Sequence, residues 1–381
     1  MGMCMKSLKH LVSSPAVLGM LAAVLIFSLF FSLTVNGLLH EQNRKLDVLD
    51  DMDWVFPLGT YDRIKVAEAE GKVAFLVESS SWNTDYYSEL IDAEGNSAAY
   101  GWYLGDVNGN GQLELNIHPD GYFVNRNPND SEHVQNLRGV PLTWFQYGSS
   151  LVLTEVPGYV IDASKGSVLS ITEGDDITVY EPEEGEHVIN QMGDYWIIEK
   201  SLPWPGGNLS VLYLRDMDFQ VAMDGMLLDS IYNIDGEYIA CEMITSGTYY
   251  NLPQEVIEVD WRVMTEDGEI FYSANSSGDM SLLNAGTGYY FVLEDPETRK
   301  IYFYDGSAPL DLEKGTMPVG PCRNGLFVFK NEEGKYGVMD KSGQIAAEPL
   351  FDSMSCLHQN MAVVVYGNDF GVIRLKGGGQ S

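Results

Sequence analysis

The stretch Gly105-Asp106-Val107-Asn108-Gly109-Asn110-Gly111-Gln112-Leu113-Glu114-Leu115 has the residue types and spacing of a cation site. Oxygen-bearing side chains recur at Asp106, Asn108, Asn110 and Glu114, and the Gln112 carbonyl falls between them. Ca2+ takes about six to eight hard oxygens, and alternate positions on a tight loop can aim them inward. Gly111 permits the sharp turn such a loop needs. Only Asp106 and Glu114 carry formal charge, and Ile117 stands where an EF-hand loop places its bidentate glutamate. An Asn-Gly hairpin would use the same residues.

Aromatic residues flank this loop: Trp102 and Tyr103 before it, then Tyr122, Phe123, Trp144 and Phe145. Trp204 stands between two prolines in Pro203-Trp204-Pro205-Gly206-Gly207. Rings beside polar loops can form a platform for a sugar or peptide, or pack inward as core. Trp102, Tyr103 and Trp204 are the candidate ligand contacts.

No nucleophile arrangement is readable. The 6 histidines are scattered, and none pairs with another His or a Cys at metal-ligand spacing. GxSxG, P-loop and GxGxxG signatures are missing. Acidic pairs such as Asp175-Asp176 and Glu183-Glu184 could act as glycosidase carboxylates. With 55 acidic residues in the chain, such pairs are expected by chance as solvated turns.

The elements that must position these residues are strands. Beyond a polar stalk over residues 37–52, apolar or alternating runs sit between Gly, Asn, Asp and Pro turns. They come in pairs: 73–78 with 87–92, 150–155 with 159–162, 195–200 with 210–216, 238–243 with 259–265, 289–294 with 300–305, 326–330 with 336–340, and 362–366 with 370–375. A short phrase recurs, as in Leu90-Ile91-Asp92-Ala93-Glu94-Gly95-Asn96 and Val338-Met339-Asp340-Lys341-Ser342-Gly343-Gln344. The spacing predicts an all-β propeller of about seven blades over residues 53–377, or six if the irregular third pair is not one, with an insertion at 96–143. The segments before the first and last pairs, Gly59–Ile64 and Pro349–Met354, resemble each other. An N-terminal strand is therefore expected to complete the last blade and remove the sheet edges.

Residues 13–36 predict a transmembrane helix, since Leu11–Leu39 contains no charge and about 20 apolar residues span a bilayer core. A cleaved signal peptide is the alternative, although the run is long for one. A short cytoplasmic head (residues 1–12) and an extracytoplasmic C-terminal domain follow. Only Lys6 and Lys9 of the 22 basic residues precede residue 41, and none of the 55 acidic residues does, so residues 41–381 carry 20 minus 55, or −35, against −33 for the whole chain. Such a surface repels nucleic acid and favours a monomer. Cys241, Cys322 and Cys356 show no CxxC spacing; buried thiols, or one disulfide plus one thiol, account for them.

The segment Gly325-Leu326-Phe327-Val328-Phe329-Lys330, then Gly334-Lys335-Tyr336-Gly337-Val338-Met339-Asp340, then Glu348-Pro349-Leu350-Phe351-Asp352 resembles the WG repeat of bacterial proteins. Tyr336 stands in for its Trp and Phe351 for its Tyr, and Phe370-Gly371-Val372-Ile373 is similar to a shortened copy. The resemblance covers about residues 324–375 and implies a β-repeat scaffold without common catalytic residues. The loop at 106–115 likewise resembles an FG-GAP calcium loop, which implies Ca2+ as cofactor. These readings together predict a membrane-anchored, non-catalytic binding or scaffolding module for an unknown protein, peptide or glycan. The alternative is a cell-surface hydrolase of the glycosidase or lyase type.

Overall fold

The computed structural model describes residues 47–80, 86–100, 113–125, 133–137, 140–144, 150–171, 177–204, 207–223, 226–235, 238–244, 259–265, 270–275, 281–284, 290–294, 299–303 and 307–375. The chain divides into two compact units, Met1–Asp53 and Trp54–Ser381. In the first, residues 47–50 form a helical turn. The expected span at 13–36 and the head at 1–12 lie outside the described residues. Among those described, no helix is long and apolar enough to cross a membrane.

The second unit is all-β and propeller-like. β1 (Trp54–Tyr61) precedes a first four-stranded sheet of β2 (Arg63–Ala69), β3 (Lys72–Ser80), β4 (Tyr86–Ile91) and β5 (Ser97–Tyr100). β6 (Tyr122–Asn125), β7 (His133–Asn136) and β8 (Pro141–Trp144) form a three-stranded sheet within the expected insertion. β9 (Leu151–Leu153), β10 (Tyr159–Asp162), β11 (Ser167–Ser170) and β12 (Ile177–Tyr180) form the next sheet. A seven-stranded sheet follows: β13 (Glu186–Met192), β14 (Tyr195–Trp204), β15 (Gly207–Arg215), β16 (Leu228–Asp235), β17 (Tyr238–Ile244), β18 (Val259–Thr265) and β19 (Ile270–Asn275). Two further four-stranded sheets are β20 (Ser281–Asn284) to β23 (Leu310–Leu312), through β21 (Tyr290–Glu294) and β22 (Arg299–Phe303), and β24 (Met317–Arg323) to β27 (Ile345–Phe351), through β25 (Leu326–Lys330) and β26 (Tyr336–Asp340). The last sheet joins β28 (Ser353–Met354), β29 (Met361–Tyr366), β30 (Asp369–Arg374) and, on its far edge, β1.

The expected strand pairs are all present as antiparallel ladders. The expected closure is present too: Trp54 pairs with Ile373 and Phe56 with Val372, so the first strand completes the last sheet. Several apolar clusters are shared by neighbouring sheets. Phe56, Val363 and Val372 pack with Ile64, Val66 and Phe75. Leu76, Leu90 and Phe123 join the first sheet to the three-stranded one. Tyr290, Ile301 and Phe303 meet Phe327, Phe329 and Met339. A strand sandwiched this way is buried on both faces, which is why Leu326-Phe327-Val328-Phe329 is apolar without alternation. Burying each such side chain contributes about 2 kcal/mol.

The repeated phrase is a local device. In Asp92–Asn96, one Asp92 carboxylate oxygen accepts the Glu94 and Asn96 amides, at 3.0 and 2.7 Å. Asp340 does the same for Ser342 and Gln344, at 2.8 and 2.9 Å. Gly95 and Gly343 take φ +81° and +85°, the left-handed conformation this loop needs. The glycine of the WG-like phrase has another cause. A Cβ on Gly337 would lie 2.7 Å from the Ala347 carbonyl oxygen and 2.9 Å from Pro349, and one on Gly371 would lie 3.1 Å from the Phe56 oxygen. In these two sheets the neighbouring strand, β27 or β1, is seated directly on that glycine. Cys241 and Cys322 are buried, and no disulfide joins the three described cysteines. Burial pushes the Cys241 thiol up to about 12, so it packs as an apolar group.

Candidate functional site

Three two-residue hairpins meet at one place. Glu70-Gly71 links β2 to β3, Asn324-Gly325 links β24 to β25, and Gln359-Asn360 turns the chain between His358 and Met361, where β29 begins. Both residues of each have positive φ: 52° and 69°, 53° and 76°, 48° and 62°, as a type I′ turn requires. The turns are bonded to one another. The Gln359 amide donates to the Gly71 carbonyl at 2.9 Å, and the Asn324 amide donates to Asn360 Oδ1 at 3.2 Å. Arg323 donates to Glu68 Oε2 at 3.0 Å and to His358 Nδ1 at 3.3 Å.

The segment after the expected calcium loop runs beside β2. Val66 donates to the Leu113 carbonyl, and Leu115 donates to the Val66 carbonyl, each at 2.8 Å. This parallel bridge carries Glu114 to the same place, where its Oε1 accepts the Cys356 amide at 2.6 Å. His358 thus lies between two carboxylates, with Glu68 Oε2 3.6 Å from Nδ1 and Glu114 Oε1 3.9 Å from Nε2. Burial opposes the Glu114 charge, but the nearby His358 ring and the hydrogen bond from the Cys356 amide outweigh it and hold the carboxyl at about 2. Glycoside hydrolysis needs one carboxyl raised enough to donate a proton; Glu114 is shifted the other way and Glu68 is paired with Arg323. Burial, then the neighbouring Glu114 carboxylate, push the Cys356 thiol up, and Gly320 packs against its sulfur. A thiol shifted in that direction lacks the thiolate character of a nucleophile.

Beside these turns lies a cleft of about 590 Å³ between the first sheet and the three-stranded sheet. That volume is in the range of small-molecule sites. Ala69, Ala74, Leu90 and Leu137 supply apolar surface, and Glu70, Lys72, Asp92 and Asn136 supply polar groups. Asp92 is committed to its own hairpin. Lys72 is exposed and makes no ion pair among the described residues, so it is the cleft's available cation.

Of the residues expected to act, Trp102, Tyr103, Asp106, Asn108, Asn110 and Gln112 lie outside the described residues. Glu114 is described and is turned to Cys356 and His358. Trp204 ends β14, paired with Gly207, well away in sequence from the cleft-lining residues. Among the described residues no cluster of His, Cys, Asp and Glu could hold a metal. Glu68, Lys72, Arg323 and His358 were not foreseen. The signal available for them was positional, since Lys72, Arg323 and His358 adjoin turn dipeptides and Glu68 lies two residues before one.

No protein-family profile matches the chain, and no curated protein matches it. Among solved structures it is similar to a eukaryotic initiation factor, at 9% identity and a TM-score of 0.40, over 76% of this chain and 87% of that one. It is similar to the WD40 domain of SCAP from fission yeast at 10% identity and a TM-score of 0.35, over 85% and 97% of the two chains. It is similar to an acylaminoacyl peptidase from Pyrococcus horikoshii at 13% identity and a TM-score of 0.35, over 81% of this chain and 52% of that one.

Proposed function

We propose that this protein is a membrane-anchored, extracytoplasmic propeller of WG-like repeats that binds a ligand without transforming it. The observation that carries the reading is the cleft of about 590 Å³ between the first sheet and the three-stranded sheet, with Lys72 as its available cation. The nearest cluster of ionisable side chains supports a non-catalytic role, because Glu68 and His358 Nδ1 are engaged by Arg323 and Glu114 is engaged by the Cys356 amide. The blade count is seven in this reading. The seven-stranded sheet divides where β15 and β16 share the single register pair Leu212–Leu228, and the three-stranded sheet is the ligand-facing insertion. Anchoring rests on the uncharged run Leu11–Leu39.

The ligand class is a peptide or glycan with an anionic group, because an otherwise acidic surface presents Lys72 at the cleft. The test is a peptide and glycan array probed with the full chain in detergent, alongside the Lys72→Glu variant. One ligand class retained by the wild type and lost by Lys72→Glu supports the proposal. Equal retention by both proteins removes the cleft from it.

A further inference from the structure

A second place in the fold is built around a ring that the repeat does not call for. The loop Asp216-Met217-Asp218-Phe219-Gln220 is a third copy of the Asp-capped hairpin. Asp216 Oδ1 accepts the Asp218 and Gln220 amides at 3.0 and 2.8 Å, as Asp92 and Asp340 do in theirs. Where those loops have Gly95 and Gly343, this one has Phe219, at φ +60°. A bulky residue is strained in that conformation, so its side chain must gain something there.

The Phe219 ring is sandwiched. It stacks on Tyr180 at 4.4 Å and 1°, and on Trp196 at 5.2 Å and 16°. Trp196 is fully buried, and among the described residues neither its Nε1 nor the Tyr180 hydroxyl has a hydrogen-bond partner. Arg215 lies over the Tyr180 ring at 5.6 Å and donates to the Phe219 carbonyl oxygen at 2.9 Å. Glu186, itself buried, orients that guanidinium at 3.4 Å and also accepts from Lys200 at 2.6 Å. Arg215, backed by Glu186, directs its guanidinium to the edge of a flat slot. Phe219 thus presents an aromatic ring to two aromatic walls and an oxygen to a guanidinium.

We infer that Tyr180, Trp196 and Arg215 form a binding slot for an aromatic ring that carries a carboxylate, and that Phe219 fills it as a displaceable internal ligand. The carboxylate takes the place of the Phe219 carbonyl on Arg215, where a charged acceptor bonds more strongly than a neutral one. The strained φ lowers the barrier to vacating the slot. Phenylpropionate and a peptide ending in Phe share this chemistry. The slot lies between the β9–β12 sheet and β13–β15, apart from the cleft beside Lys72, so each can fail alone.

The test titrates the full chain with 3-phenylpropionate, 3-phenylpropionamide and a hexapeptide ending in Phe, read by ligand-detected NMR. Phe219→Gly restores the repeat's glycine and empties the slot; Phe219→Asn, which also tolerates positive φ, serves if the glycine variant does not fold. The expected result is saturable binding of the acid by the variant about tenfold tighter than the amide. The wild type should bind the acid about 10–100-fold more weakly, since the plug taxes affinity by the closed fraction. Tighter binding of the hexapeptide than of phenylpropionate identifies a peptide C-terminus as the ligand, and the reverse identifies a small aromatic acid. Equal affinity for acid and amide would reveal a bare cavity and overturn the inference, as would a folded variant that binds neither, or a wild type that shows no binding within the stated range.

Discussion

Replacing Gly337 by Ala isolates the contact that explains the repeat's glycine. Gly337 does not have positive φ, so the added methyl brings no backbone strain. In an open strand position the change would stabilise by about 0.4–1 kcal/mol, by restricting the unfolded chain. Here the new Cβ would sit 2.7 Å from the Ala347 oxygen and 2.9 Å from the Cα and N of Pro349. All three are backbone atoms of β27 and cannot rotate away. Overpacking of this kind costs about 1–3 kcal/mol, so the net effect is a loss of about 1–2 kcal/mol, concentrated in β26 and β27. Hydrogen exchange reads such local opening. Amides of the β26–β27 ladder should exchange about tenfold faster for each ~1.4 kcal/mol, while β10–β11 amides stay unchanged. Unchanged or slower exchange in Gly337→Ala would refute the seating of the outer strand on this glycine, and with it the physical account of the repeat.

Other predictions follow from the same contacts. Glu114 has its folded pKa lowered from 4.5 to about 2, so its contribution is complete above about pH 4.5 and is lost as pH falls toward 2. Its side chain is 41% exposed, so screening limits that contribution to about 1 kcal/mol; acid unfolding of Glu114→Gln should start from a lower plateau and fall less between pH 4.5 and 2. Asp340→Ala removes the acceptor for two amides and should cost about 1–2 kcal/mol in urea unfolding, with a loss near zero counting against the capping role. If residues 106–114 hold calcium, Ca2+ should raise the melting temperature of the wild type and not of Asp106→Ala; no shift in the wild type ends that proposal.

Much of the scaffold was legible because its causes are local. Alternation and continuous apolar runs located the strand pairs, and Asp-x-x-Gly marked the hairpins between them. The likeness of Gly59–Ile64 to Pro349–Met354 anticipated the pairing of β1 with β30. The three-stranded sheet was not legible: its strands span only Tyr122–Asn125, His133–Asn136 and Pro141–Trp144, and polar residues such as His133 and Gln135 are buried in it. The residues around the cleft were not legible either. Arg323 and Glu68 are 255 positions apart, and only the closing of the last sheet onto the first brings their turns together. Phe219 shows the opposite case, in which a departure from the repeat was readable as Asp216-Met217-Asp218-Phe219 and gained its meaning from the rings it touches.

The central claim is that the cleft between the first sheet and the three-stranded sheet holds a ligand and leaves it intact. The direct measurement is to take a ligand captured by the full chain, titrate it against wild type and Lys72→Glu by calorimetry, and analyse the recovered ligand by mass spectrometry. Lys72→Glu should bind at least about tenfold more weakly at unchanged melting temperature, with the ligand recovered at its original mass. Equal affinity for the two proteins, or a ligand recovered in cleaved form, would contradict the claim.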